Sequence, residues 1–320
     1  MNYMIEETLF QIALLIASLI GLASASHYAI KSIEKLIEIT GLSEASAGFI
    51  ILAVLTSIPE ITVAIFSIIQ GNPAVSIGDV LGSNVFNIGV VIGIISILGY
   101  IKICCTDLLV ELTDILSIIV IIPLLLVISQ YHIFEIPSQI IGGILLAGFL
   151  ISSYLILKKI TPPVHSDDRK QVTKRKKGAV IATLLLSIAI VVVSAQLAVN
   201  SASNIAISFG IPSILVGAKI IAIGTSLPEL TLNLAAVRRG RINLAIGGII
   251  GSNLNNLTLI LGLVLLISPF KVDLTVFIEI LPFLLVTTIL FWRFIIRGGV
   301  SKVGGALLML TYILFQVLII

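Results

Sequence analysis

Apolar runs of membrane-crossing length alternate with short polar breaks along nearly the whole 320-residue chain. A helix rises about 1.5 Å per residue and bilayer hydrocarbon is about 30 Å thick, so about 20 mainly apolar residues make one crossing. This spacing predicts ten: residues 8–27, 44–69, 74–101, 108–129 and 136–157, then 179–207, 213–237, 243–268, 274–291 and 304–320. The first continues as an amphipathic turn or two bearing Lys31, Glu34, Lys35 and Glu38. Residues 158–177 are the one hydrophilic stretch of any size. They separate a first five-helix unit (1–157) from a second (178–320). The expected fold is an all-α membrane protein of ten transmembrane helices.

Composition narrows the class. With 58% hydrophobic and 11% charged residues and a mean hydropathy of +1.22, the chain lies far from soluble domains, where roughly 25% are charged. Where the charges fall matters more than their sum of +3. If the linker is cytoplasmic, that side also holds Lys31 and Lys35, Lys102, Arg238, Arg239 and Arg241, and Arg293, Arg297 and Lys302. Lys271 is left on the far side and Lys219 inside a span. This bias predicts a multi-pass cell-membrane protein with both termini outside. Residues 1–11 carry Glu6 and Glu7 and no basic residue, so no cleaved signal peptide is expected. The linker reads as a solvated connector, with membrane lipid the expected surroundings and no nucleic-acid partner. Cys104 and Cys105 are adjacent, without metal-site spacing, and read as small apolar fillers near a helix end.

Two apolar runs are interrupted by the same motif, Thr56-Ser57-Ile58-Pro59-Glu60 and Thr225-Ser226-Leu227-Pro228-Glu229. Proline donates no N–H and crowds the carbonyl four residues back, so Pro59 frees the carbonyl of Leu55 and Pro228 that of Gly224. Freed backbone at membrane depth is tolerated where it lines a protein-enclosed cavity. An ionised Glu there costs at least about 2.5–3.5 kcal/mol and marks a functional site by default. Ser57-x-x-Glu60 and Ser226-x-x-Glu229 also read as capping boxes that restart a helix. Capping explains one copy better than two copies at matching depth.

The motifs belong to a longer repeat. Adding 169 to the number maps residues 41–87 onto 210–256 without a gap, with 16 of 47 positions identical. Five spans per half is an odd number, so the halves are expected to enter the membrane in opposite senses. That is the inverted-repeat plan of secondary transporters, with the site at the midplane. Helix periodicity puts Ala53, Thr56 and Glu60 on one stripe and Ala222, Thr225 and Glu229 on its mate. Gly82-Ser83-Asn84-x-x-Asn87 and Gly251-Ser252-Asn253-x-x-Asn256 add a hydroxyl and an amide each, with small residues for close helix approach. Helix packing alone is the competing reading of those two segments. Every candidate donor is a hard oxygen, a set that suits Ca²⁺ or Na⁺ and not zinc or copper.

The paired G-T-S-L-P-E and G-S-N-x-x-N segments resemble the α-repeats of the cation/Ca²⁺ exchanger superfamily, closest to its prokaryotic sodium/calcium exchanger branch. The likeness extends over all ten spans. It implies that Glu60 and Glu229 hold Ca²⁺ with the carbonyls of Thr56 and Thr225. It implies Na⁺ sites from those glutamates, Ser57, Ser226, Ser83, Ser252 and the carbonyls of Ala53 and Ala222. Asn87 and Asn256 would complete the central ring, with the first and sixth helices sliding across the core. The implied activity is Ca²⁺/Na⁺ antiport by alternating access, by a monomer and without a cofactor. Alternatives are H⁺-coupled exchange, another divalent cargo, or a passive cation channel. No nucleophile–base pair suggests an enzyme, and no phosphate-binding loop an ATP-driven pump.

The chain departs from the family pattern in places. Leu55 replaces a glycine of the first motif, and Asn256 stands where some relatives carry Asp, which implies K⁺ independence. Asp79, one turn before Ser83, reads as either a secondary cation relay or a residue at the mouth of the site, with the mouth favoured because burial costs less near an interface. Lys219 is expected to snorkel outward, and Glu111, Asp114 and Glu279 to be half-buried interface residues.

Overall fold

Proline and polar pairing decide where the helices break. The computed structural model describes residues 2–40, 43–69, 73–130, 136–159, 174–208, 222–267 and 274–318. These residues form helices and no strand. The first helix, α1 (Asn2–Thr40), is a single rod that runs well past its apolar part. At 1.5 Å per residue it is about 58 Å long, so it tilts or projects beyond the hydrocarbon. The second apolar run is α2 (Glu44–Ala47), a π-helical turn (Gly48–Leu52), α3 (Ala53–Thr56) and α4 (Ile58–Ile69). Glu44–Thr56 and Ile58–Ile65 meet at a 44° bend, where Ser57 leaves helical geometry at φ −79°, ψ 5°.

The third run is α5 (Pro73–Phe86), a π-helical stretch (Asn87–Ile92) and α6 (Gly93–Ile97). The fourth, expected as one helix, turns after α7 (Asp107–Ile119) and resumes as α8 (Leu124–Gln130). Pro123, which cannot donate, sits at that break. α9 (Ser138–Lys159) completes the first half. α10 (Lys174–Ser208) begins inside the basic linker, earlier than its apolar content suggests. α11 (Ala222–Thr225) and α12 (Leu227–Arg238) repeat the break, with Ser226 at φ −91°, ψ 4°. Then come α13 (Ile242–Asn255), a π-helical turn (Asn256–Ile260), α14 (Leu261–Ile267), α15 (Leu274–Ile296) and α16 (Lys302–Leu318).

Among the described residues, five helices are long and apolar enough to cross a membrane, and the bent pair makes a sixth candidate. The apolar stretches at Leu9–Ser18, Ile280–Ile296 and Lys302–Leu318 are shorter. Much of the seventh expected span, with Lys219, lies outside the described residues, as do residues 160–173 of the linker.

The two helices bearing the Gly-Ser-Asn segments form the centre. Each has 83% of its apolar window buried, against 28% for Ser138–Ile156 and for Lys177–Ser194, which present most of their residues outward. Close approach at the centre depends on missing side chains. A Cβ on Gly251 would stand 2.6 Å from the Cβ of Ala53, and one on Gly48 2.3 Å from the carbonyl oxygen of Leu244. α2, α3 and the π turn between them therefore lie backbone to backbone on α13. α1 and α10 pack along each other and reach the core through contacts such as Ser26 Oγ donating to Thr231 Oγ1 at 3.1 Å.

At the arginine-bearing end of α12, Arg239 and Arg241 both bind Glu34 of α1, and Arg241 Nη1 also donates to Glu44 at 2.8 Å. The Arg239 hydrogen bond is the chief cause holding the Glu34 carboxyl below its ordinary range. Cys104 and Cys105 pack partly buried against the core and are paired as a vicinal disulfide, with Cys105 at φ 103°.

Candidate functional site

Each Pro-Glu break places a serine at its corner and a glutamate one turn into the restarted helix. Ser57, Glu60, Ser226 and Glu229 are all fully buried. The backbone closes around the corners: Ser57 N donates to Ala53 O at 3.1 Å, Ile61 N to Ser57 O at 3.0 Å and Leu230 N to Ser226 O at 3.1 Å. No serine hydroxyl or glutamate oxygen here makes a well-formed hydrogen bond, though the Thr56 hydroxyl stands beside the Glu229 carboxyl. A capping box would use those atoms, so helix restart does not account for these residues. The Ala53 carbonyl, which the resemblance implies as a Na⁺ ligand, accepts from the Ser57 N–H, and the Thr56 hydroxyl donates to it at 3.3 Å.

The Gly-Ser-Asn helices bring the other half's donors to these corners. Thr56 Oγ1 lies 2.9 Å from Ser252 Oγ, and Thr225 Oγ1 lies 3.5 Å from Ser83 Oγ. Asn87 Nδ2 donates to Asn253 Oδ1 at 3.1 Å, and Asn256 Nδ2 to Asn84 Oδ1 at 3.4 Å. Adding 169 to the first-half number and subtracting it from the second-half number turns Thr56–Ser252 into Thr225–Ser83 and Asn87–Asn253 into Asn256–Asn84. The two halves therefore meet at one place in exchanged roles.

The amide pairing has a direction. Asn87 and Asn256 donate through nitrogen and keep their Oδ1 atoms buried and unpartnered, while Asn84 and Asn253 accept. The unpartnered oxygens thus come in matched pairs from Ser57 and Ser226, Glu60 and Glu229, and Asn87 and Asn256. A buried polar group without a partner costs about 1–3 kcal/mol, and a charged one more. A protein that carries the same set twice gains when a positive ion shares them. Among the described residues no three His, Cys, Asp or Glu side chains gather as a metal site, so neutral oxygens must complete any coordination of a cation here.

Of the twelve residues singled out from the sequence, hydrogen bonds bring together Ala53, Thr56 and Ser252, Thr225 and Ser83, and the Asn87 and Asn256 amides, while Ser57, Glu60, Ser226 and Glu229 are buried next to them in the chain. Ala222 lies in α11, three residues before Thr225. Four further residues matter. Asn84 and Asn253 were visible in the repeated motif but not recognised as partners of the ring. Asn233 is buried and its Nδ2 donates to the Glu229 carbonyl at 2.7 Å; its counterpart in the first half is Ala64, so the repeat could not flag it. Asp79 is not at an open mouth. It is 7% exposed, and its Oδ1 accepts from Thr225 Oγ1 at 2.9 Å. A short side chain one turn from Ser83 points at the facing helix, not along the membrane normal. Asp114 is half-buried as expected and accepts from Trp292 Nε1 at 2.7 Å, and Glu111 is half-buried. The side chain of Glu279 lies outside the described residues.

The model of the family described as "Sodium/calcium exchanger protein" matches residues 10–158 and 179–320, nearly the whole of both halves. The chain belongs to the sodium/calcium exchanger family. It is 30% identical to CaxA of Alkalimonas amylolytica, named as an antiporter, over 99% of each chain. It is 29% identical to the sodium/calcium exchanger MaX1 of Methanosarcina acetivorans, over 96% of this chain and 97% of that one. Its fold matches the solved sodium-calcium exchanger NCX_Mj with a TM-score of 0.81 at 25% identity, covering 96% of this chain and 98% of that one. NCX_Mj has been studied with crystals soaked in Na⁺, Ca²⁺ or Sr²⁺. This family member is thus a membrane transporter of the exchanger class, helical throughout its described residues.

Proposed function

We propose that this exchanger carries Ca²⁺ in exchange for Na⁺ across the cell membrane by alternating access. The observation that carries this reading is the doubled set of buried, unpartnered oxygens at the meeting of the two halves. Glu60 and Glu229 with the carbonyls of Thr56 and Thr225 are the Ca²⁺ ligands. Na⁺ takes the same glutamates with Ser57, Ser226, Ser83, Ser252 and the carbonyls of Ala53 and Ala222, and Asn87 and Asn256 complete the ring. The frame is ten spans in two inverted five-helix units, 1–157 and 178–320, around a cytoplasmic linker. The paired α1 and α10 move across the core.

Coupling follows from charge. Net charge in an occluded, low-dielectric site is expensive. Glu60 and Glu229, both ionised, bring two negative charges to the centre of the ring. One Ca²⁺ cancels them, and so do two Na⁺ or two H⁺. Loaded forms cross and the empty form does not, which makes exchange obligatory. Na⁺ is favoured over H⁺ because protons need no hydroxyls or amides, and the ring supplies several with unpartnered oxygens.

The test is ⁴⁵Ca²⁺ uptake into proteoliposomes. An outward Na⁺ gradient at clamped pH drives uptake, and a pH gradient without Na⁺ drives little. Full uptake on the pH gradient alone would replace Na⁺ by H⁺. Equal flux with no counter-ion would make the protein a channel.

A further inference from the structure

The two halves of the site are not equal, and the difference is Asp79. Along α5 and the π turn that follows it, Asp79, Ser83 and Asn87 succeed one another at one-turn spacing. The equivalent stripe in the second half reads Gly248, Ser252, Asn256. The helix stripe that carries Ser252 therefore has no carboxylate of its own, while the stripe that carries Ser83 has one. The space on the glycine side is taken: a Cβ on Gly248 would stand 2.7 Å from Leu52 Cδ2 and 3.0 Å from Asn233 Oδ1. The asymmetry is therefore built into the packing on both sides.

Asp79 Oδ1 accepts from Thr225 Oγ1 at 2.9 Å, and the same hydroxyl lies 3.5 Å from Ser83 Oγ. Oδ2 is buried and has no partner. A buried carboxylate with one hydroxyl donor is poorly compensated. If its only task were to hold Thr225, a neutral amide oxygen would serve at lower cost.

We propose that Asp79, with the hydroxyls of Thr225 and Ser83, forms an anionic Na⁺ subsite on one side of the ring, giving this exchanger unequal Na⁺ sites. The proposal rests on the Na⁺/Ca²⁺ reading above and adds a residue to it. The occupant follows from charge and hardness. One carboxylate and two hydroxyls suit a small monovalent cation held by oxygen, whereas Ca²⁺ is already matched by the two glutamates. Asp79 supplies the counter-charge for one Na⁺ more than Glu60 and Glu229 can balance. On the orientation drawn from the basic loops, the subsite lies on the outer side of Ser83.

The experiment uses the purified full-length protein and the concentration of Na⁺ that displaces half of the bound ⁴⁵Ca²⁺. In Asp79→Asn, which keeps an acceptor for Thr225, that concentration rises about tenfold, as expected for losing one charge-assisted contact, while ⁴⁵Ca²⁺ affinity in Na⁺-free buffer falls by a clearly smaller factor. Asp79→Glu, which keeps the charge, stays within threefold of the unaltered protein. Wild-type Na⁺ competition in Asp79→Asn overturns the proposal. Equal loss of Na⁺ and Ca²⁺ binding in both variants also overturns it, because a packing role treats them alike. If Na⁺ fails to displace ⁴⁵Ca²⁺ from the unaltered protein, Na⁺ coupling itself falls and the subsite falls with it.

Discussion

Gly251→Ala adds one methyl group at the crossing on which the site depends. The new Cβ would lie 2.6 Å from Ala53 Cβ and 3.1 Å from Phe49 Cα, where carbon atoms ordinarily stop at roughly 3.5–4.0 Å. Neither neighbour can swing aside, because one is the only side-chain atom of an alanine and the other is backbone. Relief therefore requires α3 and α13 to part by roughly 1 Å. Overpacking of this kind costs roughly 1–3 kcal/mol. The same movement stretches the Thr56–Ser252 contact from 2.9 Å past about 3.5 Å, where a hydrogen bond is lost, for about 1 kcal/mol more. It also withdraws Ser252 and the Ala53 carbonyl from the ring. The expected result is at least a tenfold loss of ⁴⁵Ca²⁺ uptake in proteoliposomes and a lower thermal midpoint in detergent. Gly143→Ala is the matched control: its Cβ meets nothing within 4 Å, so uptake and midpoint stay at wild-type values. Wild-type uptake by Gly251→Ala would refute the close crossing and its link to the site.

Glu60→Gln and Glu229→Gln should each abolish Ca²⁺ transport, because one remaining carboxylate leaves a divalent ion uncompensated in a dry site; normal uptake at matched expression by either variant removes it from the site. Asn256→Asp adds a further carboxylate at the centre of the ring, and slower exchange with tighter ⁴⁵Ca²⁺ retention is expected; unchanged kinetics would mean that residue 256 does not face the ions. The Glu34 ion pairs give a pH signature in thermal stability. The carboxyl sits below its ordinary 4.5 in the folded protein, chiefly through the Arg239 hydrogen bond, so its contribution is in place above 4.5 and drains away as pH falls through the lowered value. Glu34→Gln should therefore lower the midpoint at neutral pH and converge with the unaltered protein in strong acid. A constant gap down to that range would assign the effect to something other than the charge.

The sequence by itself determined the helical membrane class, the two breaks and most of the ring. Those are local matters: a proline ends hydrogen bonding wherever it stands, apolar length sets a crossing, and a register of 169 residues can be counted. The glutamates and serines of the breaks were legible because a carboxylate and a proline are costly at that depth. Only the tertiary structure decided which atoms are spoken for. Asn87 and Asn256 each open a π-helical turn, and their amide nitrogens are turned toward Asn253 and Asn84 in the other half, which leaves the oxygens free. Asp79 reads as a mouth residue along its own helix and is buried only because Thr225 is set against it. Glu34 meets Arg239 across 205 residues of chain. Periodicity orients a side chain about its own helix axis, but what it faces is set by the packing of a second helix, and that information lies in no local stretch of sequence.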